Sequence, residues 1–412
     1  MSKAVKGWLV LCLVLPALSV LLSGCWDRIE IENRALILAM AIDEASPEDM
    51  KDEMVTHSKV PPSLKDKMIR ITAQIAVPGR VPLGPGGDSG GGEGSFSLPV
   101  WVVKVVGYTI DDALDNLQQQ IADPRTLIHL RIVVISEAIA RRGLRDLNDY
   151  FRRETQVRRT TWLLVSDVEA ARLMDVAPPL ERVPALYLLA MIEKSHQMGK
   201  FPTDYIGKFW SAESKLGQDG YLPYVSIRQK ENILLKGMAY FNEDKMVGYT
   251  TPIQIGVYMG IMGLNPGGYS ALFDVPGVGV VMVNTLKRSS RVKVKINDGI
   301  PHAEIDIQLE ATMKEKIGEA GSFDSQAKLH EVERVFEQEV KKNAIQLIKE
   351  TQLKKSDVFG FGEKIRAHER SFWNRNIKSE KDWENLYAKL TADVHVHVDL
   401  RRFGLVAQNK SE

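Results

Sequence analysis

Cysteine is nearly absent: the 412 residues contain two, Cys12 and Cys25, both within the first 25 positions. The body of the chain therefore has neither a disulfide framework nor a thiolate metal site to hold it together. An excess of one charge is missing too, because 54 Lys and Arg stand against 53 Asp and Glu, a formal +1. A nucleic-acid binder concentrates basic charge against phosphates, so that class is excluded. Beyond Leu22 no apolar run reaches the roughly 20 residues that a bilayer span needs; Val278 to Val283 is strand-sized. The Gly- and Pro-dense stretch from Gly79 to Pro99 has no Gly-Lys-Ser/Thr ending, so it reads as a flexible loop and not a phosphate cradle. No serine elbow between a strand and a helix and no catalytic pair of carboxylates can be singled out. No enzyme activity and no cofactor are expected.

What is present is globular. With 44% apolar and 26% charged residues, a chain of this length is expected to form two or three domains, each with its own core. At the N-terminus, Lys3 and Lys6 precede a charge-free apolar run from Gly7 to Leu22, the pattern of a secretory signal. The run ends in Leu22-Ser23-Gly24-Cys25, which resembles the bacterial lipobox cut by the lipoprotein signal peptidase. In that chemistry the Cys25 sulfur is alkylated with diacylglycerol, and cleavage leaves Cys25 as the acylated N-terminus. Residues 1–24 then leave as the signal peptide. Acyl chains contribute about 0.8 kcal/mol per buried CH₂, so two or more hold a protein on a membrane durably where one myristoyl chain does not.

The residues after the anchor carry a family resemblance. Gly24-Cys25-Trp26-Asp27-Arg28, Glu30-Ile31-Glu32-Asn33 and the apolar run Ala35 to Asp43 resemble the start of the Ger(x)C family, the lipoprotein C subunits of bacterial spore germination receptors. Gly107-Tyr108-Thr109-Ile110-Asp111-Asp112-Ala113-Leu114, His129 to Glu137, and the stretch Gly237 to Gly248 are similar to later segments of that family. Gln352 to Gly362, with Trp373 and Trp383, resembles its C-terminal signature. The resemblance implies a non-enzymatic subunit built from α+β domains, anchored through Cys25 outside the cytoplasm on the spore inner membrane. It further implies that the subunit works with an A subunit and a transporter-like B subunit. A substrate-binding lipoprotein of an importer is the alternative; it would need two parallel α/β lobes around a cleft.

Hydrophobic periodicity predicts the organisation. Strands are expected at 35–43, 68–77, 100–106, 127–135 and 162–165, with helices from Thr109 to about Ala122, 137–153, 168–174 (capped by Ser166 or Asp167) and 185–198. Pro202, Gly207, Gly217, Gly220 and Pro223 mark a change of character near residue 200. The reading divides the mature chain into an N-terminal α+β domain at 25–200, a middle domain at 201–272 and a C-terminal α+β domain at 273–405. A hairpin is expected at 233–250 around Asn242-Glu243-Asp244. A meander (276–287, 291–296, 303–311) is expected beneath a long helix from Gln326 to about Thr351, with a last strand at 394–400. The fold class is thus α+β, with mixed and antiparallel sheets packed against helices.

Three constellations remain. His395 and His397 share a strand face with Asp399 near them, a spacing for metal that an ordinary half-exposed strand explains equally well. Arg152-Arg153-Glu154 with Arg158-Arg159 is the most basic patch, read as a solvated helix face or as a surface for lipid headgroups. In Ser356-Asp357-Val358-Phe359-Gly360-Phe361-Gly362 the glycines permit a tight turn, and Phe359 and Phe361 either plug the seam between helix and sheet or, with Trp373, meet a partner subunit.

Overall fold

The structure is a computed structural model that describes residues 8, 33–46, 48–49, 67–77, 99–176, 181, 183–229, 232–317 and 326–401. The signal sequence apart from Trp8, Cys25, most of the loop at 79–99, the Pro178-Pro179 break and the tail from residue 402 lie outside the described residues. Among the described residues no helix is long and apolar enough to cross a membrane.

The apolar run at Ala35 becomes the central strand β1 (Ala35–Glu44), buried on both faces. β2 (Ile69–Ala76) and β3 (Val100–Gly107) follow antiparallel beside it. Helix α1 (Ile110–Gln120) starts as expected: Thr109 Oγ1 accepts from the Asp112 N–H at 3.1 Å, and Asp111 and Asp112 face the helix dipole. A short β4 (Arg125–Thr126) and then β5 (Ile132–Ser136) pair parallel to β1.

The single helix expected over 137–153 is two helices, α2 (Glu137–Arg142) and α3 (Arg145–Arg153). Gly143 separates them at φ +122°, and the Leu144 N–H donates to the Asp244 carbonyl at 2.9 Å. A distant turn therefore sets the break. β6 (Trp162–Ser166) pairs parallel to β5. The next helical turn, Ala170–Asp175, is 3₁₀ and is not capped by Ser166 or Asp167. Its Ala170 and Ala171 N–H groups donate instead to the buried Asp43 carboxylate, at 2.7 and 2.9 Å.

After α4 (Pro184–Gln197) and α5 (Ile206–Glu213), β7 (Tyr221–Arg228) pairs parallel to β6, and β8 (Asn232–Asn242) and β9 (Lys245–Tyr249) complete the sheet as the expected hairpin. The order is β3-β2-β1-β5-β6-β7-β8-β9, with β4 on β1. One nine-stranded sheet thus runs through residue 200. The Gly- and Pro-punctuated stretch there is part of a crossover, which parallel pairing of β6 and β7 requires, and not a linker between sheets.

Helix α6 (Pro252–Ile261), opened by a Thr251/Gln254 capping box, leads to the second sheet. It contains β10 (Ser270–Val275), β11 (Gly279–Asn297) and β12 (Ile300–Ile317), an antiparallel meander. The strands expected at 276–287 and 291–296 are one 19-residue strand with two register shifts. The long helix is α7 (Gln326–Leu353), whose Leu329, Val332, Phe336, Leu347 and Ile348 are buried. Short helices α8 (Phe361–His368), α9 (Arg370–Asn376) and α10 (Glu380–Tyr387) return the chain to β13 (Thr391–Arg401). β13 lies parallel to β12, so the second sheet is mixed. As an edge strand β13 offers free N–H groups, and α7 covers two of them: Glu337 accepts from Val398 at 2.9 Å and Glu333 from Leu400 at 3.0 Å. Cores form on both faces of the first sheet and between the second sheet and its helices.

Candidate functional site

The turn after α7 is where the two sheets are joined, and Asp357 is its centre. Its side chain is fully buried. One carboxylate oxygen accepts from the Phe361 N–H at 3.1 Å; the other accepts from the Gly362 N–H at 2.8 Å and from Trp383 Nε1 at 3.1 Å. The carboxylate therefore satisfies the first N–H groups of α8, which point toward it with the helix dipole. Gly360, at φ +68°, takes the left-handed conformation that turns the chain into that helix.

A second acid comes from the first sheet's side. Asp219, just before β7, accepts from the Asp357 N–H at 2.7 Å, and its own N–H donates to the Asp357 carbonyl at 3.0 Å. Its other oxygen accepts from the Glu243 N–H at 3.2 Å, tying in the β8–β9 turn. Asn242 Nδ2 reaches the Lys355 carbonyl and Glu384 Oε1, each at 2.9 Å, and the Ser356 hydroxyl donates to the Phe241 carbonyl.

Backbone packs on backbone at this seam. The Glu363 N–H donates to the Gly217 carbonyl at 3.0 Å. A Cβ at Gly362 would lie 2.6 Å from Gly217 Cα and 2.5 Å from Trp383 Cε2. Gly362→Ala is therefore expected to lower stability by about 3 kcal/mol or more, because backbone lies on one side and a buried indole on the other. Gly260→Ala, whose new methyl would meet only Ile307 at 3.8 Å within helix α6, is expected to be neutral or stabilising by up to about 1 kcal/mol. Urea unfolding of the two variants measures the contrast; equal effects would contradict the packing account.

The sequence-selected aromatics all lie in this core. Phe359, Phe361 and Trp373 are 1%, 0% and 5% exposed. Phe359 stacks on Phe361 at 5.2 Å between ring centres, and Trp373 lies 5.6 Å from Trp383. Their rings fill the seam and offer a partner subunit no surface, which corrects the reading of these three residues as partner contacts. The physical reason is that α8 and α10 fold back over the turn.

The other candidates separate. His395, His397 and Asp399 are exposed on one face of β13, with His397 Nδ1 3.5 Å from Glu337. Among the described residues no group of three His, Cys, Asp or Glu is placed to hold a metal. In the basic patch, Arg152 pairs with Glu213 at 2.6 Å and lies over the Trp210 ring, while Arg153 pairs with Asp149 at 3.0 Å. Sequence reasoning missed Gly217, Asp219 and Asn242 because their partners stand more than 100 residues away; the Gly217-Gln218-Asp219-Gly220 turn was the available signal.

Burial pushes the Asp219 carboxyl up to about 8, with the neighbouring Asp357 and Glu384 adding to it, and pushes Asp357 up to about 7 against the pull of its N–H donors. An unfolded aspartate ionises near its ordinary value of 3.8, so between about pH 4 and pH 8 the folded pair holds protons that the unfolded chain has released. Stability contributed here is complete below that window and falls as the pH rises through it. Asp219→Asn is expected to flatten the fall, read from urea midpoints at about pH 5 and about pH 8; an unchanged slope would contradict the assignment.

Residues 27–227 match the family described as spore germination protein N-terminal domain, and residues 236–404 match spore germination B3/GerAC like, C-terminal. The chain is 26% identical to the putative spore germination protein YfkR of Bacillus subtilis (strain 168), over 93% of each chain. It is also 26% identical to spore germination protein GerQC of Bacillus cereus, over 74% of this chain and 84% of that one. Among solved structures, the GerBC protein superimposes with a TM-score of 0.54 at 18% identity, covering 88% of this chain and 96% of that one. That likeness shows the same fold.

Proposed function

This chain belongs to the GerAC-like family of spore germination proteins, and from that premise we propose that it is the lipid-anchored C subunit of a nutrient-germinant receptor. It sits on the outer face of the spore inner membrane and docks there with A and B subunits. The observation that carries this reading is the ordered match of both family domains, at residues 27–227 and 236–404. Cys25 stands two residues before the first of them, at the end of the apolar leader, where a lipid anchor would place the folded body directly at the membrane surface.

The subunit acts by docking and by favouring one state of the complex over another, not by turnover. The two best-defined acids of the seam support this, since Asp357 is sealed among N–H donors and Asp219 is engaged on both oxygens. Docking falls to exposed surface, because Phe359, Phe361 and Trp373 are inside. Mass spectrometry of the N-terminal peptide from spore membranes tests the anchor. Cys25 carrying diacylglycerol and an amide-linked acyl chain, with residues 1–24 removed, is the expected result. An unmodified Cys25 within an uncut leader would contradict it.

A further inference from the structure

A cavity of about 310 Å³ borders the seam, with Asp219 in its wall, between α5, α6 and the segment that follows α4. Asp204 lines it. This side chain is 3% exposed, and its Oδ2 has no hydrogen-bond partner, an expensive condition for a carboxylate. The cation that acts on it electrostatically is Lys208, but the Lys208 ammonium donates to the Thr203 carbonyl at 2.9 Å and not to the carboxylate. His196 does not supply the donor either, since its ring nitrogens face the Thr203 hydroxyl and the Phe201 carbonyl.

The walls around the acid carry aromatic rings beside polar side chains; Lys215 is among the latter, its ammonium donating to Gln218 Oε1 at 2.7 Å. Phe209, Tyr221 and Tyr258 line the space, with Tyr221 and Tyr258 edge to face at 5.2 Å between ring centres. Met259, Met262 and Leu264 add apolar surface. An unpartnered carboxylate oxygen among aromatic rings is the environment that an organic cation satisfies, because the ammonium hydrogen-bonds the acid and the ring faces attract its charge. The volume lies at the lower end of small-molecule pockets.

We propose that this cavity is a binding site for a small primary ammonium compound with an apolar body, its nitrogen on Asp204 Oδ2 and its chain against Met259, Met262 and Leu264. The site is distinct from the Asp357 carboxylate, and it does not depend on the receptor reading. Burial raises the Asp204 carboxyl, and an ammonium placed beside it would oppose that shift.

The probe is n-butylammonium chloride, titrated calorimetrically into the full chain in detergent, with n-butanol as the neutral counterpart. Saturable binding of the ammonium, weaker for butanol by at least about tenfold, and a loss of at least about tenfold in Asp204→Asn are expected. Met262→Trp fills the cavity while keeping the acid, and it is expected to abolish binding with the fold retained by circular dichroism. Absence of saturable binding, equal affinity for butanol, or unchanged affinity in folded Asp204→Asn would overturn the proposal. If Asp204→Asn does not fold, undiminished binding in folded Met262→Trp overturns it equally.

Discussion

Asp357→Ala is expected to unfold the seam between the two sheets, with a stability loss of roughly 4 kcal/mol or more. Three donors lose their acceptor at once: the Phe361 and Gly362 N–H groups and Trp383 Nε1. Each is buried, so water does not replace the carboxylate, and an unsatisfied buried donor costs about 1–3 kcal/mol. Helix α8 also loses the negative charge at its N-terminus. Asp357→Asn keeps one acceptor oxygen but turns an amide toward the remaining donors, so its loss is expected to be large though smaller than alanine's. Near-ultraviolet circular dichroism of the tryptophans and a urea titration measure both variants. A loss below about 1 kcal/mol for alanine would mean that the seam is held by packing of Phe359 and Phe361 alone.

Cys25→Ala is expected to change location without changing the fold. The substitution lies outside the described residues, before the first strand, and removes the sulfur on which the proposed lipid would be built. With the lipid gone, membrane affinity is expected to fall, because the acyl chains are what would hold the folded body on the bilayer. The uncut leader would retain part of the protein on the secretion machinery, so the measurement is twofold. Alkaline carbonate extraction of spore membranes reports anchoring, and dipicolinate release after nutrient addition reports signalling. Release of the protein with a many-fold slower response is the expected pair. Full retention with normal release would contradict a role for the anchor.

Long-period features were legible in the sequence. Helix α7 runs within a turn of its expected limits because Leu329, Val332, Phe336, Leu347 and Ile348 keep helical spacing for the whole length. The Thr109 cap and the β8–β9 hairpin are local chemistry and appear where the residues put them. What sequence did not carry is what distant backbone decides. The turn at Asp244 splits 137–153 at Gly143; Asp43, more than 120 residues away, caps the turn at Ala170. The parallel pairing of Val165 with Tyr224 makes a crossover of the stretch read as a domain boundary. The seam was half legible: Ser356–Gly362 announced a tight turn and favoured its rings as a plug between helix and sheet over a partner contact, but the cover that α8 and α10 give them depends on distant packing.

Membership of a membrane receptor complex is the central proposal for this chain. The most direct test is to purify the tagged protein from detergent-solubilised spore inner membranes and identify by mass spectrometry what accompanies it. A transporter-like subunit and a second large membrane subunit, recovered in constant proportion with the chain, are the expected result. Recovery of an importer permease with its ATPase, or of the chain alone, would contradict it.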